Sequence, residues 1–286
     1  MALLQTNSIS FGYSHGTPFE ITALDHVSFS VDKGETVAVI GHTGSGKSTL
    51  MQMLNGLLKP ESGAVLMEDR DIHADKQQTR QIRFRVGLCF QYPEYQLFEE
   101  TCFKDISFGP KNMGLSEEEI RQRVLQAAKI VGLPEELLEK SPFDLSGGQK
   151  RRCAIAGVMA MQPEVLILDE PTAGLDPRGR DAVFAMIRSY QRQTNAAVVI
   201  VTHSMEDAAQ FADRIVVMSQ GRLVLDGTAD EIFSSAEELM NMGLNVPAST
   251  RLVNELRSLG YDLPRNVYTA QAAAEEIASC LRRRRP

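Results

Sequence analysis

The chain has 286 residues, 43% of them hydrophobic, with 30 basic and 37 acidic side chains, a net charge of −7 and a pI near 5.4. That length holds one large α/β domain with additions, or two domains sharing an interface, and builds a sizeable core without staples. The acidic balance argues against a broad nucleic-acid footprint, and the four cysteines show neither metal-ligand spacing nor a pairing pattern, as expected of reduced thiols in a cytosolic protein.

No apolar run reaches the ~18 residues needed to span a bilayer, and the N-terminus lacks a basic region followed by an apolar core. The protein is therefore expected in the cytoplasm, with any membrane role requiring a partner that supplies the spans. Short alternating segments at Leu4–Ile9 and Val27–Val31, separated by the turn-rich 13–18, predict antiparallel strands. Tyr13 is expected in that loop, where an exposed ring can stack on a purine. Ordinary packing is the plain alternative for a lone tyrosine.

The stretch ETVAVIGHTGSGKSTL, residues 35–50, reads as a buried strand, a glycine-rich turn and the start of a helix. Gly41, His42, Thr43, Gly44, Ser45, Gly46, Lys47 and Ser48 fit G-x-x-x-x-G-K-[ST], followed by Thr49. Glycines there let successive N–H groups and the helix N-terminus point at an anion. Lys47 adds a mobile cation for β and γ phosphates, and Ser48 has the hydroxyl of a Mg²⁺ ligand. Apolar residues at helical spacing predict a helix over Ser48–Leu58, ending before Lys59-Pro60. Ala64–Met67 is expected as a return strand, and the polar run Asp69–Arg85 as a solvated helix.

Val86–Gln91 is an apolar strand ending in an amide, at the mouth of a loop where Gln91 can reach a metal or an attacking water. Tyr95, Leu97, Phe98 and Phe103 follow, and are expected to form a groove for short helices of a membrane subunit, burial in the chain's own core being the alternative. Ser116 with Glu119 forms a capping box for a helix up to Gly132, so the acidic triplet there belongs to the helix dipole. Leu145-Ser146-Gly147-Gly148-Gln149 opens another helix, with Ser146 as its cap and two glycines that allow a ligand close to the backbone. Val165–Glu170 is an apolar strand ending in two carboxylates: Asp169 suits Mg²⁺ binding, and Glu170 can polarise a nucleophilic water. Asp176 lies in the turn to the next helix, and a further buried strand, Ala196–Thr202, ends at His203. A hairpin over 214–226 turns at Gln220-Gly221. Beyond Leu244, Leu252, Val253, Leu256 and Leu259 form a helical stripe, and Ala270–Leu281 a second helix. The closing run Arg282–Arg285 reads as a frayed, solvated end.

GHTGSGKST, Gln91, LSGGQ, VLILDE, AGLD and His203 occur in the order and spacing of an ABC-type ATPase, which residues 1 to about 240 resemble. The resemblance implies an α/β fold: a P-loop ABC ATPase core with an antiparallel β-subdomain, a helical subdomain and a C-terminal helical extension. It implies ATP and Mg²⁺ as cofactors, Tyr13 stacked on adenine, residues 41–49 around the phosphates, and Ser48, Gln91 and Asp169 at the metal. Glu170, His203 and Gln91 take the catalytic roles, Asp176 is the D-loop aspartate, and Ser146, Gly147, Gly148 and Gln149 meet ATP held by a second subunit. A finer likeness lies in FQYPEYQLFEETCFKDISFGPKN, residues 90–112, and SPFDLSGGQKRR, residues 141–152, which resemble the ATPase subunits of energy-coupling factor transporters. TPFEITAL, residues 17–24, resembles the second of their two paralogous ATPases.

That family implies an ATP-hydrolysing subunit powering uptake of a vitamin or transition-metal ion. Its partners would be a paralogous ATPase or a second copy, a transmembrane coupling subunit and a substrate-binding membrane subunit, with no nucleic acid. Its place would be peripheral, at the cytoplasmic face of the cell membrane. Expected boundaries are 1–243 for the ATPase domain, with the helical subdomain at about 92–145, and 244–286 for an extension serving dimerisation. A soluble ABC ATPase acting on ribosomes or nucleic acid is the alternative, disfavoured by a single motif set with no heptad run or zinc spacing. A scaffold without turnover is opposed by the intact Glu170 and His203.

Overall fold

The structure, a computed structural model, describes residues 2–283; Arg284 and Arg285 of the closing arginine run lie outside the described residues. The chain begins with β1 (Leu4–Tyr13), β2 (Ile21–Val27) and β3 (Ser30–Val31), then enters β4 (Thr36–Gly41), whose six residues are all buried. Helix α1 (Lys47–Leu54) follows, then β5 (Ser62–Met67), β6 (Arg70–Asp71), α2 (Lys76–Arg85) and β7 (Val86–Cys89). Next come α3 (Cys102–Asn112), α4 (Glu117–Val131) and α5 (Gly147–Met159). β8 (Val165–Asp169), α6 (Pro177–Thr194), β9 (Ala197–Val201) and α7 (Met205–Phe211) alternate, and β10 (Arg214–Ser219) pairs with β11 (Arg222–Gly227) as a hairpin. The chain closes with α8 (Ala229–Ser234), α9 (Ala236–Asn241), α10 (Ala248–Ser258) and α11 (Ala270–Arg283).

Two sheets result. β2, β1, β5 and β6 are antiparallel in that order, with β3 also on β1. The second sheet runs β11-β10-β4-β9-β8-β7, and from β10 to β7 every pair is parallel. Its central strands β4, β8 and β9 are buried on both faces, so they read as unbroken apolar runs, yet the pleat still sends alternate residues to opposite sides. In β9, Val198 and Ile200 join a core with α3 to α6, while Ala197, Val199 and Val201 join one with α1 and the antiparallel sheet. In β8, Leu166 and Leu168 go with the first core, Val165 and Ile167 with the second. β4 gives Val37 and Val39 to the second core, and Ala38 and Ile40 to a third, under α7 and α8. The expected α/β class and its helical additions are present.

Four local expectations shift. Tyr13 is not in a loop but is the last residue of β1, paired with Ile21. α1 stops at Leu54 because the buried Asn55 side chain donates to the Val86 carbonyl and Gly56 then turns at φ 71°. The polar run 69–85 is not one helix: Ile72 is pulled into the core, and α2 starts only at Lys76, where Asp75 accepts from Gln78 N at 2.7 Å. In the C-terminal stripe Val253 is buried with Leu263, Val267, Ala273 and Cys280, but Leu252 and Leu259 face outward.

Candidate functional site

Parallel strands place their carboxyl ends at one edge, which is where open α/β sheets bind ligands. Here that edge collects the ends of β4, β8 and β9, with Gln91 two residues beyond β7. A cavity of about 340 Å³ opens there, and Tyr13, Thr43, Gly44, Gly46, Lys47, Ser48, Thr49, Gln91, Asp169, Glu170 and His203 all line it. Tyr13 and His203, 190 positions apart in sequence, thus meet. Gly41, His42 and Ser45 shape the loop without lining the cavity.

The loop can take this course only with glycine at 46. Its φ is 100°, and a Cβ there would lie 2.4 Å from the Ala23 carbonyl oxygen. Lys47 Nζ donates to the carbonyls of Gly41 at 2.8 Å and His42 at 2.9 Å, which curls the loop round its own lysine. Ser48 Oγ donates to Asp169 Oδ2 at 3.1 Å. Glu170 sits one residue past β8 at φ 51°, a left-handed turn that is costly for a side chain of its size, and is held by its N–H on the Val201 carbonyl at 2.9 Å. His203 Nε2 lies 3.2 Å from Glu170 Oε1, in contact but misaligned as a hydrogen bond.

The electrostatics are those of a site built to receive charge. Burial raises the Asp169 carboxyl pKa against the pull of Ser48 and Lys47, and burial with the neighbouring Asp169 pushes Glu170 up to about 7. Burial lowers Lys47, and burial followed by the Lys47 cation lowers His203. Glycine N–H groups and a lysine suit a polyphosphate; a serine hydroxyl and an aspartate suit a hard cation. Among the described residues no group of three or more His, Cys, Asp or Glu forms a cation cage, so a metal here would lean on phosphate oxygens.

The remaining expected residues are elsewhere. Ser146 caps α5, its N–H donating to Gln149 Oε1 at 2.9 Å, and a Cβ on Gly147 or Gly148 would meet nothing within 4 Å. Asp176 caps α6, accepting from Gly179 N at 2.7 Å. None of these five lines the cavity. The loop after Gln91 also divides: Leu97 is buried and Phe103 packs partly against the core, whereas Tyr95, Phe98 and Phe108 are exposed. Ile21 and Ala23 in the cavity wall lie within TPFEITAL but carry no site role in the sequence reading; the pairing of Tyr13 with Ile21 across β1 and β2 is what places Ile21 there.

A family model described as ABC transporter matches residues 24–173, a span that runs from β2 through the phosphate loop and both carboxylates. Fold, cavity and family model define an ABC-type ATPase. The energy-coupling factor transporter ATP-binding protein EcfA2 of Caldanaerobacter subterraneus is 52% identical over 98% of this chain and 98% of its own. Its counterpart from Clostridium acetobutylicum is 53% identical over 97% and 98%. The structure of cbiO1 from Clostridium perfringens, part of the ABC transporter complex cbiONQ, superposes with a TM-score of 0.74 at 40% identity, over 84% of this chain and 94% of that one. The dimeric bacterial ABC transporter cassette MJ0796 gives 0.71 at 28% identity, over 79% and 98%. The chain belongs to the ATP-binding proteins of energy-coupling factor transporters, ATPases whose hydrolysis is coupled to transport.

Proposed function

We propose that the chain binds Mg²⁺ and ATP in the cavity at the carboxyl ends of the parallel strands and hydrolyses ATP to drive uptake of a vitamin or transition-metal ion through membrane subunits. The observation that carries this reading is the convergence of Lys47, Ser48, Gln91, Asp169, Glu170 and His203 on one cavity. When bound, the nucleotide and its cation supply the phosphoanhydride to be cut and the charge that screens its oxygens. Lys47 would neutralise the terminal phosphates, while Ser48 and Asp169 would hold the cation. Glu170 accepts the proton of the attacking water, and His203 orients Glu170 and the terminal phosphate. Gln91 senses occupancy at the start of the loop leading to α3.

Ser146 to Gln149 and Asp176 lie outside this cavity on exposed helix N-termini, which supports a head-to-tail pair in which they complete the partner's site. The partner is a paralogous ATPase or a second copy, and the extension beyond 243, with Leu252 and Leu259 outward, contributes to that pairing. Tyr95, Phe98 and Phe108 offer an apolar surface to a transmembrane coupling subunit, which works with a substrate-binding membrane subunit. No helix among the described residues is long and apolar enough to cross a membrane, so the chain would work from the cytoplasmic face as a peripheral subunit.

The test is Glu170→Gln, which should keep ATP binding and lose about 10²- to 10⁴-fold in turnover. Hydrolysis within about threefold of wild type contradicts the role of Glu170. Co-purification with ribosomes or nucleic acid, and not with membrane proteins, would favour the soluble alternative.

A further inference from the structure

The turn joining β1 to β2 is closed by a charged strap that lines no part of the nucleotide cavity. His15 Nδ1 lies 3.0 Å from Glu20 Oε1, and Nε2 lies 2.5 Å from Glu61 Oε1. Glu20 also accepts from Gly16 N and Glu61 from Gly12 N, each at 3.1 Å. Glu61 reaches in from the segment before β5, so the strap ties the turn to a different strand of the sheet. Gly12 lets the ring lie across the strand: a Cβ there would sit 2.7 Å from His15 Cε1 and 3.3 Å from the Ile21 carbonyl oxygen.

The chemistry of the strap depends on protonation. A neutral imidazole carries one N–H and donates to one carboxylate; the imidazolium donates to both. Glu20 in the turn and Glu61 from the segment before β5 are the two charged groups acting on the ring, and both raise its pKa, the Glu61 hydrogen bond most. Flanked by the strap are Tyr13 and Ile21, cross-strand partners that both line the cavity beside the phosphate loop. The Tyr13 hydroxyl is 3.3 Å from Thr49 Oγ1, and its ring meets Phe11 edge-on at 5.0 Å.

We propose that His15, Glu20 and Glu61 form a protonation-dependent strap that sets the Tyr13–Ile21 pair as the platform for the nucleotide base, so that base affinity falls when His15 loses its proton. This rests on the reading of the cavity as the ATP site. The three are positioning residues, acting through Tyr13 and Ile21. As pH rises through the raised pKa of His15, one of the two charged hydrogen bonds is lost and the turn loosens. All three side chains are solvated, and an exposed ion pair shifts an equilibrium by about two- to fivefold.

The test compares the affinity of the full chain for ATP and for inorganic tripolyphosphate, with Mg²⁺, by calorimetry from about pH 6 to about pH 9. Wild type should lose about two- to fivefold in ATP affinity across that window. His15→Gln should lack this step and sit at the weak level throughout. Gly12→Ala, which keeps every titrating group but displaces the ring, should lose the step as well. Tripolyphosphate has no base, so its profile should be the same in wild type and His15→Gln. Identical ATP profiles for wild type and His15→Gln would overturn the strap, as would a His15-dependent step for tripolyphosphate. ATP binding by Lys47→Ala as tight as by wild type would instead remove the cavity reading, and the strap with it.

Discussion

Arg151→Met should destabilise the chain by about 3 kcal/mol. Arg151 is 5% exposed on α5, the helix that LSGGQ opens. Its Nε and Nη2 face the Glu94 carboxylate at 3.3 Å, and Nη1 donates to the Ala173 carbonyl at 2.9 Å. One side chain thus clasps the loop after Gln91, the LSGGQ helix and the loop after Glu170. Methionine retains much of the apolar stem, so the loss is of charge: Glu94 keeps no cation and the Ala173 carbonyl no donor from this side chain. Breaking a buried pair costs about 3–5 kcal/mol. The 3.3 Å spacing and the 18% exposure of Glu94, which lets water reach the orphaned acid, set the low end. For a chain of this size that lowers Tm by about 5 °C. Thermal unfolding of Arg151→Met, Glu94→Gln and the double variant gives the coupling energy directly, expected above about 1 kcal/mol. A Tm within about 1 °C of wild type for Arg151→Met, or a coupling energy near zero, would refute the clasp.

Burial pushes the Cys89 thiol up to about 12, whereas the unfolded chain releases that proton near its ordinary value of 9.0. Between those values the unfolded state binds fewer protons, so stability should fall as pH rises, by up to about 1.4 kcal/mol per pH unit from this group. Chemical denaturation at several alkaline pH values should show a steeper loss for wild type than for Cys89→Ala; equal slopes would remove Cys89 from the account. Ser146→Arg should leave ATP binding by the isolated chain unchanged and abolish ATP-dependent pairing in sedimentation, and a fully active pair in that variant would end the head-to-tail reading. Phe98→Asp, on an exposed ring stacked edge-on against Phe108 at 5.0 Å, should weaken assembly with membrane subunits while sparing ATP affinity. Assembly at the wild-type level would remove Phe98 from the interface.

What could be read from the sequence was what neighbours in sequence determine. Gly46 and Lys47 are legible because the loop's chemistry lies within nine residues, and Ser116 with Glu119 because a capping box spans one turn, here with Ser116 N donating to Glu119 Oε2 at 3.0 Å. The early end of α1 was not legible, since the Asn55 amide bonds a strand that begins 31 residues later. Nor was the break at Ile72: it stands ten residues from Ile82, the next large apolar residue of the run, so no period marks it, and only the core beside it explains its burial. The Leu97 and Phe98 pair shows the same limit at adjacent positions, one side chain turned into the core and the other out. Arg151 reads as one of three consecutive basic residues until Glu94 is placed beside it.

The alternate burial along β8 and β9 makes each strand a party wall between two separately packed rooms. A change of volume at Val198 or Ile200 is felt by α3 to α6, whereas one at Val199 or Val201 is felt by α1 and the antiparallel sheet. Compensating changes should therefore be found among residues of the same parity, not among immediate neighbours in the strand. Such a wall lets a lineage retune the helices on one side by successive small steps while the ground behind the phosphate loop stays as it was.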